Sequence, residues 1–273
     1  MDTFIRIRPA LLSWPKAVET GSELQPDVER LRLVDKFNGY ERLQHLPKLK
    51  ALWCFGTDAK ALDQISLCYG LEELHLDYRI KTGDFGALTN LSSLKVLTLN
   101  SCSPINSLNQ ISEFQNLEGL LIENFKNVHS IDPLSKLRKL KQLGVSGSIW
   151  TKMKIDTLTP LATLASLEYL DLTSLKVNDE SLRPLEALTQ MRELNIANYY
   201  PMQEFARLSG KLPNTHCTWF APFIQTNFQC EKCGRSSRVM LTGKGKPVLC
   251  RNCDAVRLKR HVEEFERARC EVS

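Results

Sequence analysis

No stretch of this 273-residue chain approaches the roughly 18 consecutive apolar residues that a membrane-spanning helix requires. The opening MDTFIRIRPALLSWPKAVETG also lacks the apolar centre of a secretory signal, because Arg6, Arg8 and Lys16 interrupt it. A cytoplasmic location without membrane contact is therefore expected. The chain carries no HExxH and no glycine-rich phosphate loop, and no nucleophile stands with a base and an orienting partner. A non-enzymatic protein is the expectation. A regular, even set of cysteines is missing as well: of nine, Cys54, Cys68, Cys102, Cys217 and Cys270 are scattered, which excludes a disulfide framework and suits thiols kept reduced or bound to metal. With 42% hydrophobic and 25% charged residues, the composition also excludes global disorder.

Charge is present but unevenly placed. The net charge is +5, and Gln229–Ser273 holds 11 Lys/Arg against 6 Asp/Glu, so the remainder holds 25 of each. A neutral body carries a basic tail.

What the chain has in abundance is leucine at fixed steps. In LSKLRKLKQLGV, Leu134, Leu137, Leu140, Leu143 and Val145 are separated by three, three, three and two residues. The same ruler fits Leu43 to Cys54, Ile65 to Leu76, Leu88 to Leu99, Ile111 to Ile122, Leu161 to Leu172 and Leu185 to Ile196, and a worn copy stands at Val28, Leu31 and Leu33. The third anchors fall at 49, 71, 94, 117, 140, 167 and 191, giving intervals of 22, 23, 23, 23, 27 and 24 residues. The final step of two places both anchors on one face of a short strand. Steps of three suit a 3₁₀-like return, whose side chains align every third residue. No single turn buries its own leucines, so the turns must stack into one continuous core.

Over roughly residues 28 to 200 the chain resembles the leucine-rich-repeat family, with returns most similar to bacterial internalin-type repeats. The resemblance implies an α/β solenoid: a horseshoe of about seven to eight repeats with a parallel concave sheet. One departure is that the family's asparagine, three residues after the last anchor, is replaced here by Thr57, Arg79, Cys102, Phe125, Ser148, Leu175 and Tyr199. Arg79, Phe125, Leu175 and Tyr199 are poor substitutes, which predicts local irregularity. The long fifth interval, SGSIWTKMKIDTLTP, is expected to bulge between strands.

Residues beside and between the last two anchors should face the concave side. They include Trp53, Phe55, Glu73, His75, Asp77, Thr98, Asn100, Leu121, Glu123, Gln142, Tyr169, Asp171, Glu193 and Asn195. Such a surface suits a protein partner, with aromatic anchors, and its excess of acidic residues disfavours nucleic acid. Trp53, Phe55, His75, Asp77, Thr98, Asn100, Leu121, Glu123, Tyr169 and Asp171 are the candidate contacts. The competing reading packs Trp53 and Phe55 under an N-terminal cap. His75 beside Asp77 is expected to be a surface histidine and not a base.

Near the end, CEKCGRSSRVMLTGKGKPVLCRNC holds two Cys-x-x-Cys pairs: Cys230, Cys233, Cys250 and Cys253. That spacing fits one structural Zn²⁺ held by four thiolates, with no position open for substrate. SRVMLT and PVLC read as strands around a GKGK turn, Gly234 suits the positive φ of a knuckle, and DAVRLKRHVEEFERAR reads as a helix. This segment resembles a zinc ribbon. A module of about 45 residues rarely buries enough apolar surface to fold without such a metal. The expected division is a cap at 1–27, repeats at 28–210, an aromatic-rich connector at 211–228, and the ribbon with its helix at 229–273. The ribbon would cap the solenoid or offer a second contact. The function expected is an intracellular scaffold for a partner protein. The alternative is a nucleic-acid-associated regulator, with Arg235, Arg238, Lys244 and Lys246 as candidate phosphate contacts.

Overall fold

In the computed structural model, which describes residues 13–148 and 150–271, each leucine ruler closes one turn of a coil. The strands in chain order are β1 (Val18–Thr20), β2 (Arg30–Asn38), β3 (Ala51–Phe55), β4 (Glu73–Asp77), β5 (Val96–Asn100), β6 (Gly119–Glu123), β7 (Gln142–Ser146), β8 (Met153–Ile155), β9 (Tyr169–Leu172), β10 (Leu175–Val177), β11 (Glu193–Ile196), β12 (Phe223–Gln225), β13 (Arg238–Leu241) and β14 (Val248–Cys250). Among the described residues three α-helices accompany them: α1 (Ala59–Ile65), α2 (Met202–Lys211) and α3 (Ala255–Cys270). Nine strands form one parallel sheet, ordered β1-β2-β3-β4-β5-β6-β7-β9-β11. Pairing runs anchor to anchor, Leu52 opposite Leu74, then Leu97, Leu120, Leu143 and Leu170. The worn copy forms β2, with Leu31 opposite Leu52. The architecture is a leucine-rich-repeat solenoid with a small C-terminal module.

The returns follow the three-residue ruler. Tyr40–His45, Gly86–Asn90, Ile111–Glu113, Asp132–Lys136, Thr159–Thr163 and Arg183–Ala187 are 3₁₀ turns, and Pro133, Pro160 and Pro184 stand near the start of three of them. Proline fits there because its fixed φ suits the first turn and its missing N–H has no partner to lose. One return is the α-helix α1, capped by Asp58 Oδ1, which accepts from Ala61 N–H at 3.0 Å. Strand anchors and return anchors meet in one continuous core of fully buried leucines. Each contributes about 1.5–3 kcal/mol by its burial.

Five corners after strands share one device, although at Arg79, where irregularity was expected, the turn is one residue longer, with Tyr78 also left-handed. Gly56, Arg79, Ser101, Asn124 and Ser174 adopt left-handed backbone, with φ of 68°, 60°, 64°, 60° and 52°. Each turns the chain so that the next side chain enters the core: Thr57, Ile80, Cys102, Phe125 and Leu175 are all buried there. In the second of these turns Ile80, not Arg79, takes that place, opposite Cys102. Left-handed turns thus do the corner work that an asparagine amide does in the family pattern, and apolar side chains fill the space. A left-handed conformation costs a residue with a Cβ about 1–2 kcal/mol, so exposed Arg79 is strained without a packing role. Arg79→Gly should raise stability by about 1 kcal/mol, and Arg79→Val should lower it, in denaturant melts.

The long fifth interval does bulge. β8 leaves the main sheet and pairs in parallel with β10, while Ile149 lies outside the described residues. At the C-terminal end α2 packs on the last return through buried Met202, Phe205 and Leu208. β12, within the aromatic-rich connector, pairs with β13, which pairs with β14 in a three-stranded antiparallel sheet. That sheet and α3 enclose a small second core of Val239, Leu241, Leu249 and Leu258. The two cores are bridged by α3: it packs against α2, and Phe265 is fully buried in the solenoid's own core.

Candidate functional site: the concave sheet and the cysteine cluster

Parallel register sets the concave columns. Trp53, His75, Thr98, Leu121, Gly144, Asp171 and Asn195 lie in one central column. Ala51, Glu73, Val96, Gly119, Gln142, Tyr169 and Glu193 form the column on one side. Phe55, Asp77, Asn100, Glu123 and Ser146 lie on the other.

The central column is not the open surface its sequence pattern predicts. Trp53, His75, Thr98, Leu121 and Asp171 are all buried. Trp14 covers the first two, packing edge-on to Trp53 at 5.6 Å and to His75 at 5.3 Å between ring centroids. Arg30 lies over Trp14 at 4.4 Å, and Arg32 over Trp53 at 4.8 Å. These are cation–π contacts that continue the stack outward. The indole of Trp53 donates to Asp77 Oδ2 at 2.9 Å. The cap reading of Trp53 is thus the one the geometry supports.

His75, expected at the surface, is fully buried and doubly held. Its Nε2 lies 2.7 Å from Glu73 Oε1 and its Nδ1 lies 2.7 Å from Thr98 Oγ1. Burial opposes ionisation of Glu73, but the hydrogen bond and charge of His75, with Arg30, outweigh it and hold that carboxyl below its usual range. With both ring nitrogens engaged and no solvent contact, the imidazole is a structural link between neighbouring strands. Its partner is Glu73 and not Asp77; alternation puts residues 73, 75 and 77 on the same face, and Asp77 instead accepts from the Trp53 indole.

Phe55, Asp77, Asn100, Glu123 and Tyr169 are half-buried and accessible on the flanking columns. Phe55 stacks between Trp53, at 5.1 Å, and exposed Tyr78, at 6.1 Å. Asp171 Oδ1 accepts from Thr173 N–H at 2.8 Å and Oγ1–H at 2.6 Å, which leaves it largely self-satisfied. Trp14 was missed by sequence reading because it stands outside the leucine ruler.

The cysteine cluster assembles from two knuckles. One follows β12, and its chain reversal has Gly234 at φ 69°, donating to Cys230 O at 2.7 Å. The other joins the end of β14 to α3, where Asp254 Oδ2 accepts from Cys250 N–H at 2.9 Å. The four sulfurs of Cys230, Cys233, Cys250 and Cys253 all lie within 4.8 Å of one another. The Cys230–Cys253 and Cys233–Cys250 separations are 3.9 and 3.7 Å. A tetrahedron with Zn–S bonds of about 2.3 Å has edges of about 3.8 Å, so the set fits zinc. A hydrogen bond from Ser237, with backbone contacts at residues 252 and 253, pulls the Cys250 thiol down to about 6. Contacts with Cys233 and its neighbours push Cys253 up to about 12. Opposed shifts of this kind arise where close thiols cannot all ionise together. A divalent cation relieves that repulsion.

The four candidate phosphate contacts differ in their surroundings. Arg235 and Lys246 are exposed, Arg238 approaches Glu231 at 4.0 Å, and Lys244 turns to the solenoid and pairs with Glu180. The hairpin carrying Lys244 is pinned to the last repeat. Asn198 Nδ2–H donates to Leu241 O at 3.0 Å, Gly243 N–H donates to Asn198 Oδ1 at 2.7 Å, and Lys244 N–H donates to Tyr200 O at 2.8 Å. Across the ribbon, His261 Nε2 lies 2.8 Å from Pro222 O, and burial lowers its pKa.

The fold is similar to that of a leucine-rich-repeat protein of Leptospira interrogans, at 21% identity and a TM-score of 0.56, over 74% of this chain and 51% of that one. Internalin C2 of Listeria monocytogenes aligns at 23% identity and a TM-score of 0.48, over 62% of this chain and 74% of that one. An internalin F of the same species aligns at 17% identity and 0.44, over 68% and 65%. The chain therefore spans about half the length of the Leptospira protein and just under two thirds of internalin F. No family model matches the sequence, and no curated protein matches it significantly. Among the described residues no helix is long and apolar enough to cross a membrane.

Proposed function

We propose that this chain is a non-enzymatic cytoplasmic scaffold that holds a partner protein against its concave sheet, with a structural Zn²⁺ closing the C-terminal ribbon. The observation that carries the reading is the division of labour on the sheet. From Trp53 to Asp171 the central column is buried, whereas accessible Phe55, Asp77, Asn100, Glu123 and Tyr169 flank it in ordered columns. An extended face of this kind is what solenoids offer to macromolecules. Aromatic Phe55 and Tyr169 would anchor the partner, and the acidic flank would select its basic side chains. Cys230, Cys233, Cys250 and Cys253 would hold the zinc, which supplies structure and no open coordination position.

The proposed boundaries follow: a cap to residue 27, repeats to 210, the connector to 228 and the ribbon beyond. Within this reading the ribbon's first role is as cap, because α3 and the 241–244 hairpin cover the last turn. The pairing of Lys244 with Glu180, and the approach of Arg238 to Glu231, weigh against all four candidate residues serving one nucleic-acid track. Affinity capture from the native cell should recover a protein with the unaltered chain and lose it with Phe55→Ala/Tyr169→Ala. Equal recovery by both contradicts this face as the binding surface.

A further inference from the structure

A cavity of about 230 Å³ opens where the fifth-interval bulge, the last repeats and the ribbon hairpin meet. Lys152, Lys176, Glu180, Tyr199, Tyr200 and Lys244 line it. Three lysines thus share the lining with a single carboxylate, and that carboxylate is already paired with Lys244. Lys152 lies over the Tyr199 ring at 3.6 Å from its centroid. Lys176 on β10 stands directly beside Lys154 on β8, an adjacent pair of like charges that raises the local positive field.

Tyr200 supplies an independent observation. It is 1% exposed, and its Oη has no hydrogen-bond partner among the described residues. Its ring packs edge-on to Phe205 at 5.9 Å. A buried hydroxyl left unpaired is destabilising, whereas one that meets an anion makes a strong charge-assisted bond.

We propose that this cavity binds a phosphate group, whose oxygens accept from the Tyr200 hydroxyl and from the ammonium groups of Lys152, Lys176 and Lys244. A phosphate monoester carries close to two negative charges and three acceptor oxygens. That matches the excess of two positive charges in the lining and its several donors better than a single carboxylate does. Because Lys244 comes from the ribbon, the site is complete only when the ribbon is docked. This gives the ribbon a role beyond closing the solenoid, and it does not depend on the concave partner face.

The test is calorimetric titration of the full chain with inorganic phosphate and, separately, O-phosphoserine, at constant ionic strength set with chloride. Saturable one-site binding is expected, weakened about tenfold or more by Lys176→Ala and by Tyr200→Phe. Tyr200→Phe should not lower the melting temperature, since the deleted hydroxyl has no partner in the empty protein. Tighter binding of O-phosphoserine assigns the site to a side-chain-borne monoester, and equal affinity assigns it to the free ion; both outcomes uphold a phosphate site. No saturable binding, or binding that neither variant changes, overturns it. So does binding of a single-stranded oligonucleotide alone, without response to either small phosphate.

Discussion

Cys250→Ser should strip the metal from the protein and unfold the ribbon while leaving the solenoid's parallel sheet in place. Structural zinc in finger peptides binds with an apparent free energy of about 10–16 kcal/mol, which rivals the whole stability of a small domain, about 5–15 kcal/mol. The ribbon's own core is only Val239, Leu241, Leu249 and Leu258, with Phe223 and Val262 partly buried beside it. So small a cluster does not hold β12, β13 and β14 together once the sulfur cage is broken. The solenoid differs, because each turn is supported by its neighbours. Hydrogen exchange is the measurement. Amides of β13, β14 and the first turns of α3 should lose protection in the variant, and those of β5, β6 and β7 should keep it. Ribbon amides as protected as in the unaltered chain would mean that the metal is not what holds the module.

Phe265→Ala should lower global stability by about 3–5 kcal/mol, the usual loss for a large aromatic side chain removed from a core. Phe265 lies on the ribbon helix α3 yet is fully buried among the solenoid's leucines, where α3 packs on α2. Its deletion opens a void at the junction of the two parts. Because Phe265 belongs to the solenoid's own core, the solenoid's denaturation midpoint should shift to lower denaturant. If the ribbon were a loosely tethered appendage, the solenoid's midpoint would stay where it is and only a small early transition would move.

The leucine ruler made the coil legible because the physics that stacks the turns is local and periodic. Leu52, Leu74, Leu97, Leu120, Leu143 and Leu170 fall in register for the same reason that they recur in sequence. The cysteine cluster was legible for a related reason: a metal's geometry fixes the spacing of its ligands over a short stretch. The corners at Phe125 and Leu175 were misjudged because side-chain identity was weighed where backbone conformation decides, whereas the one at Arg79 is irregular as expected. Phe125 and Leu175 fit once Asn124 and Ser174 turn left-handed ahead of them.

The concave face was legible in direction but not in exposure. Alternation places His75 on that side, but it does not reveal that Trp14 lies over the ring or that Glu73 and Thr98 claim both nitrogens. The lysine-lined cavity was hidden more deeply. Lys152, Lys176 and Lys244 are distant in sequence, and only the bulge, the β8–β10 pair and the docked hairpin bring them together. Lys244 was singled out as a phosphate contact from local charge alone, without the neighbours that make a pocket of it.

The central claim is that four thiolates on one metal ion close the end of a leucine-stacked coil. Its most direct test is the metal content of the chain purified without chelator, read beside the reactivity of its thiols. The account predicts one zinc per chain, with Cys230, Cys233, Cys250 and Cys253 protected from modification until the metal is removed. A metal-free protein, folded and with those four thiols freely reactive, would contradict it.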